Sequence, residues 1–96
     1  MLWTWTEAKN RTNKREHGLS FETAQLVFDD PLALTRQDSH PDGDRWQTLG
    51  TAGPVILFVV HTWPELDEKT GEEIGRIISA RVATAHERKT YEEEDF

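Results

Sequence analysis

The spacing of apolar positions changes twice along the chain. Residues 2–5, Leu-Trp-Thr-Trp, alternate so that Trp3 and Trp5 share a face, which predicts a short strand. Thr6 can cap a helix over Glu7–Glu16, with Glu7 in the first turn where the dipole favours an anion and Gly18 as the stop. This segment is polar almost all round, with Ala8 its only good core residue, so a helix here must be held by something other than its own propensity. Ser20 caps a second helix, whose buried face is Phe21, Ala24, Val27 and Phe28 at three- and four-residue spacing; Asp30-Pro31 ends it.

From there the period is two. Leu32–Gln37 and Arg45–Gly50 read as a hairpin around a turn at Ser39–Asp44, which holds Pro41, Asp42 and Gly43. Ala52-Gly53-Pro54 turns the chain into Val55–Thr62, an apolar run expected of a central strand. Trp63–Glu73 reads as an acidic loop and Ile74–Val82 as the last strand. Thr84-Ala85-His86-Glu87 has capping-box spacing and opens a helix to about Glu94. This order predicts an α+β fold: a mostly antiparallel four- to five-stranded sheet, two N-terminal helices and one C-terminal helix, with one sheet face covered and the other partly open.

Ninety-six residues suit one domain. The longest apolar run, Val55–Val60, falls far short of the roughly 20 residues that span a bilayer. The N-terminus lacks the parts of a secretory signal, and the chain has no cysteine, which removes disulfides, thiolate metal sites and a cysteine nucleophile. A cytoplasmic protein with no membrane association is expected. The net charge of −7 runs against the basic face of most nucleic-acid binders. The charge is segregated, however. Lys9, Arg11, Lys14 and Arg15 cluster early, Arg76, Arg81, Arg88 and Lys89 late, and the acids gather at 38–44, 65–73 and 92–95.

Two groupings carry candidate chemistry. Lys9, Asn13 and His17 stand at i, i+4 and i+8, so one helix side within about 100° offers a cation, an amide and an imidazole; the plain alternative is a solvated face. In Arg76-Ile77-Ile78-Ser79-Ala80-Arg81, regular alternation puts the arginines on opposite faces, so either a bulge intervenes or Arg81 lies past the strand end. Each arginine can fork onto a phosphate or pair with one of eighteen acids. Trp46, beside Arg45, can stack on a base or belong to the core. No phosphate loop, zinc-type His spacing or nucleophile elbow is present, and no cofactor or metal is expected.

In order and spacing, these segments resemble the BrnT family of type II toxin–antitoxin ribonuclease toxins. The resemblance runs through Trp5-x3-Lys9-x3-Asn13-x3-His17-Gly18-x-Ser20-Phe21-x2-Ala24, Val27-Phe28-x-Asp30-Pro31 and Arg45-Trp46-x3-Gly50. It continues with Val59-Val60-His61-Thr62, Arg76-Ile77-Ile78-Ser79-Ala80-Arg81-x-Ala83-Thr84 and Glu87-Arg88-x2-Tyr91, so that residues 1–96 form one BrnT-like domain. It implies a RelE-like fold and a bacterial, metal-independent endoribonuclease that inhibits translation. The implied partners are RNA and a neutralising BrnA-like antitoxin with a ribbon-helix-helix region, through which alone the complex, with or without a toxin dimer, reaches DNA. Mapped onto this chain, His17, Arg76, Arg81 and Lys9 are candidate catalytic residues; Arg45, His61, Asn13 and Tyr91 are candidate RNA-binding residues. Glu16 stands where the family is usually basic, and the 63–73 segment is longer and more acidic than usual. The rival reading is a non-catalytic protein-binding module on the same scaffold.

Overall fold

A computed structural model describes residues 1–41 and 43–96. Its elements are β1 (Leu2–Thr4), α1 (Glu7–His17), α2 (Phe21–Ala24) continued by a 3-10 stretch over Gln25–Asp29, β2 (Leu34–Gln37), β3 (Trp46–Ala52), β4 (Val55–His61), β5 (Glu65–Asp67), β6 (Glu72–Val82) and α3 (Ala85–Glu93). The turn expected at Ser39–Asp44 includes Asp42, which lies outside the described residues.

The sheet order is β1-β6-β4-β3-β2, with β5 also paired to β6. The α+β class and the helix count agree with expectation. The sheet is mixed, however, because β1 runs parallel to β6, with Trp3 opposite Gly75, while the remaining pairings are antiparallel. Residues 63–73 are not a loop. β5 resumes the pairing that β4 began, so 55–67 and 72–82 form one long ribbon interrupted at 62–64 and turned near Gly71, whose φ is +73°. Pro64 has no N–H for the ladder, which explains why the strand breaks there.

Between Val60↔Ser79 and His61↔Ile77 the register slips by one, leaving Ile78 as an extra residue in β6. Beyond this bulge the faces exchange: Ile77 and Ala80 are both buried in the core with Phe21, Ala24, Val27, Leu57 and Val59. Arg76 and Arg81 thus share the opposite face. That face is also covered in part. Phe58, alternating with the core residues Leu57 and Val59, lies under the Arg81 guanidinium, which in turn pairs with Glu87 of α3. Helices therefore lie on both faces, against the expectation of one.

The polar helix α1 is held by asparagines rather than by Ala8, which is exposed. Asn10, 0% exposed, accepts from the Phe21 N–H (2.9 Å) and donates to Glu22 (2.8 Å). Asn13 accepts from the Ala80 N–H (3.1 Å) and donates to the Ala80 and Leu19 carbonyls (2.8 and 2.9 Å). A side-chain amide thereby bonds β6 as a neighbouring strand would. Thr6 caps the helix by accepting from the Lys9 N–H, and Gly18, at φ +66°, ends it.

Replacing Asn13 with alanine leaves the buried N–H and carbonyl of Ala80 without partners, each worth about 1–3 kcal/mol, and frees the part-buried Leu19 carbonyl. The expected loss is about 3 kcal/mol, which for a chain of this length lowers Tm by roughly 12–24 °C; thermal unfolding followed by circular dichroism checks it.

Candidate active site: a cationic pocket beside the β6 bulge

Most of the predicted site residues converge. Lys9, Asn13 and His17, with Thr12, Ile78 and Ser79, line an open pocket between α1 and β6. On that helix side only Asn13 is buried against the sheet, while Lys9 and His17 are exposed at the pocket's rim. An adjoining pocket of about 320 Å³ is lined by Lys9, Asp44, Arg45, Thr62, Arg76 and Ile78. Lys9 and Ile78 belong to both pockets. Three cations from α1, from the residue preceding β3 and from β6 thus surround one opening, at a distance in sequence that only the fold closes. His17 lies eight residues beyond Lys9, about 12 Å along the helix axis, and lines only the first pocket.

The local reasons are visible. Asn13 fixes α1 on β6, so Lys9, one turn earlier, is carried towards Arg76. The strand break at 62–64 opens the sheet there: the Thr62 N–H donates to the Arg76 carbonyl (2.9 Å), and the Thr62 hydroxyl accepts from the Arg76 N–H (2.9 Å). The side chains of Lys9 and Arg76 form no ion pair among the described residues. Arg45 is half-buried; its Nε lies 3.7 Å from the Asp38 carboxylate and has no hydrogen-bond partner among the described residues. Asp44, whose carboxylate accepts from the Trp63 N–H (2.9 Å), places an anion at the same opening. Neither Asp44 nor Thr62 was singled out as a site residue from the sequence: one lay in a turn, and the other, at a strand end, entered only as part of the Val59–Thr62 segment of the resemblance.

The remaining candidates are engaged elsewhere. Asn13 gives its amide to backbone. Arg81 makes a two-pronged pair with Glu87 (2.7 and 3.0 Å) in the first turn of α3. Burial pushes the Glu87 carboxyl up, but the Arg81 guanidinium and the Thr84 N–H outweigh it and hold the group below its ordinary range. The Tyr91 hydroxyl donates to Asp30 (2.6 Å), whose other hydrogen bonds come from the Leu32 and Thr51 N–H groups.

His61 is 2% exposed and sits on the core face, edge-on to Trp3 and Phe28. Its Nδ1 lies 2.8 Å from the Thr62 carbonyl, which can only accept, so Nδ1 carries the hydrogen and Nε2 accepts from the Thr48 hydroxyl at 2.7 Å. With its proton so used, Thr48 accepts from the Thr35 hydroxyl at 2.8 Å. Burial pushes the His61 pKa below its ordinary value of 6.5, against the Thr62 carbonyl and the Asp44 charge. An NMR titration is expected to place the His61 midpoint below 6.5. The sign for stability follows: the unfolded imidazole binds a proton that the folded one refuses, so stability present above 6.5 is lost as pH falls from there through the folded midpoint. His61→Gln should flatten that part of the stability–pH curve.

Over residues 5–87 the sequence matches the family described as the ribonuclease toxin, BrnT, of type II toxin-antitoxin systems. No curated protein matches the chain.

Proposed function

The chain belongs to the BrnT family of ribonuclease toxins of type II toxin-antitoxin systems, and on that premise we propose that Lys9, Arg45 and Arg76 form the phosphate-holding core of its RNA-cleaving site. The observation that carries this reading is the convergence of those three cations on one open pocket in a chain of net charge −7. Overall attraction for RNA is absent, so affinity has to come from such a local concentration of positive charge.

Cleavage without a metal ion needs few groups. The ribose 2′-oxygen attacks phosphorus as its proton passes to a base, and the bond from phosphorus to the 5′-oxygen breaks as that oxygen takes a proton. The products are a 2′,3′-cyclic phosphate and a 5′-hydroxyl. Lys9, Arg45 and Arg76 stabilise the charge that grows on the phosphorane oxygens, and arginine does so with a planar fork matched to two of them. Asp44 in the pocket and His17 in the adjoining one are the titratable groups placed to exchange the protons. Arg81, Asn13, His61 and Tyr91 act as positioning residues rather than as RNA contacts, because their polar atoms are occupied within the fold.

As a type II toxin the protein has an antitoxin partner. We assign that partner to the BrnA-like, ribbon-helix-helix class, through which the complex reaches DNA, and the fold of residues 1–96, as one domain, to the RelE-like class. The cytoplasm is the compartment in which such a toxin meets translating RNA. Among the described residues no helix is long and apolar enough to cross a membrane. One observation favours the second reading, a non-catalytic binding module: Asp44 and Glu16 put carboxylates at the two pockets, where they oppose a phosphate.

Arg76 is exposed and its side chain bonds to nothing among the described residues, so Arg76→Ala should keep the wild-type Tm. Induced expression of wild type is expected to arrest growth and to yield cellular RNA fragments with 5′-hydroxyl ends, with in vitro cleavage undiminished by chelator. Arg76→Ala should reduce cleavage by at least a hundredfold, in line with loss of one preorganised charge contact. Wild-type protein that leaves RNA intact would favour the binding module.

A further inference from the structure

On the core face of the sheet, opposite the cationic pocket, lies a smaller opening of about 210 Å³. Its aromatic walls are Trp3, Phe28 and Trp63, and its polar lining includes Thr35 and Glu73. None of these residues takes part in the reaction described above. The volume falls below the roughly 300–1,000 Å³ of pockets that bury drug-sized ligands. It is the size of a single side chain.

Apart from the indole N–H groups and the Met1 ammonium, which Glu72 engages, the polar groups that line the opening are acceptors or an anion. The hydrogen-bond relay from His61 through Thr48 uses the Thr35 hydroxyl proton inwardly, so Thr35 Oγ1 is left with lone pairs for a guest. Glu72 takes the N-terminal amine at 3.5 Å, whereas the Glu73 carboxylate has no partner among the described residues. Trp63 is 52% exposed, and its only ring contact among the described residues is with Trp46, at 4.5 Å and tilted by 48°. Its backbone N–H donates to Asp44, which anchors the residue at the rim of the opening with ring area left exposed. Aromatic faces carry negative quadrupole charge. The guest that satisfies such a lining is a planar cation rich in N–H donors.

We propose that this pocket receives the guanidinium of an arginine presented by a protein partner, stacked on Trp63 and forked onto the Glu73 carboxylate. A lysine ammonium supplies the charge but neither the plane nor the fork. An RNA phosphate is repelled by Glu73, which separates this face from the cationic one: RNA on one side of the sheet, a basic protein segment on the other. The inference concerns binding alone and does not depend on cleavage.

The test is a titration of the full chain, ¹⁵N-labelled, watching the indole N–H signals of Trp3 and Trp63. The probes are the blocked peptide acetyl-Gly-Arg-Gly-amide, its lysine counterpart and guanosine monophosphate. The arginine peptide is expected to shift both indole signals saturably, and more tightly than the lysine peptide. Glu73→Gln, an exposed and nearly isosteric change, should weaken that binding at least tenfold, and Trp63→Ala should weaken it several-fold while Trp63→Phe retains it. No saturable shift with the arginine peptide, equal binding by Glu73→Gln, or tighter binding of the mononucleotide would each overturn the proposal; the last would make the pocket a nucleobase site.

Discussion

One side-chain amide holds the functional architecture together. α1 has almost no apolar surface with which to dock, and a polar helix of its length is marginal alone. Asn13 solves this by bonding both backbone groups of Ala80, so that β6 meets β1 as a parallel neighbour near Gly75 and then an asparagine at Ala80. Asn10 ties the same helix to the start of α2. These contacts are short and directional, which gives α1 a fixed rotation rather than a greasy, adjustable seat. That rotation brings Lys9 to Arg76.

The bulge at Ile78 decides what the arginines of β6 do. Without it, alternation would carry Arg81 to the core face or force Ala80 out of the core. With it, Ala80 stays buried while Arg76 and Arg81 share a face, and their surroundings then separate them. Arg76 stands at the strand break, where Thr62 engages only its backbone. Arg81 lies over Phe58 and is gripped by Glu87, whose carboxylate also accepts from the Thr84 N–H at the head of α3. One arginine keeps its side chain without a partner among the described residues, and the other locks the last helix onto the sheet.

Much of the fold was legible because its determinants are local. Thr6, Gly18, Ser20 and Thr84 bound their helices as capping chemistry requires, and the apolar run at 55–60 became the central strand. Two things were not legible. Glu65–Asp67 carries no apolar alternation, and its pairing depends on β6 continuing past Ile74, a non-local condition. The parallel seat of β1 depends on Gly75, where a Cβ would come within 2.4 Å of the Trp3 ring, a constraint that no local pattern announces. Spacing on α1 grouped Lys9, Asn13 and His17, which do line one pocket, but spacing cannot distinguish a side chain that bonds backbone from one that is open to a ligand. Asn13, His61, Arg81 and Tyr91 are all polar residues whose partners lie far away in the chain or on another element.

The central claim is that Lys9 and Arg76, from different elements, grip the same phosphate. A double-mutant cycle reads this directly: binding of a single-stranded oligonucleotide with 2′-deoxyribose at every position, which cannot be cleaved, to wild type, Lys9→Ala, Arg76→Ala and the double variant. Shared grip predicts that the second removal costs much less than the first, a coupling of about 0.5–3 kcal/mol. Losses that simply add, or single variants that bind as wild type does, would contradict it.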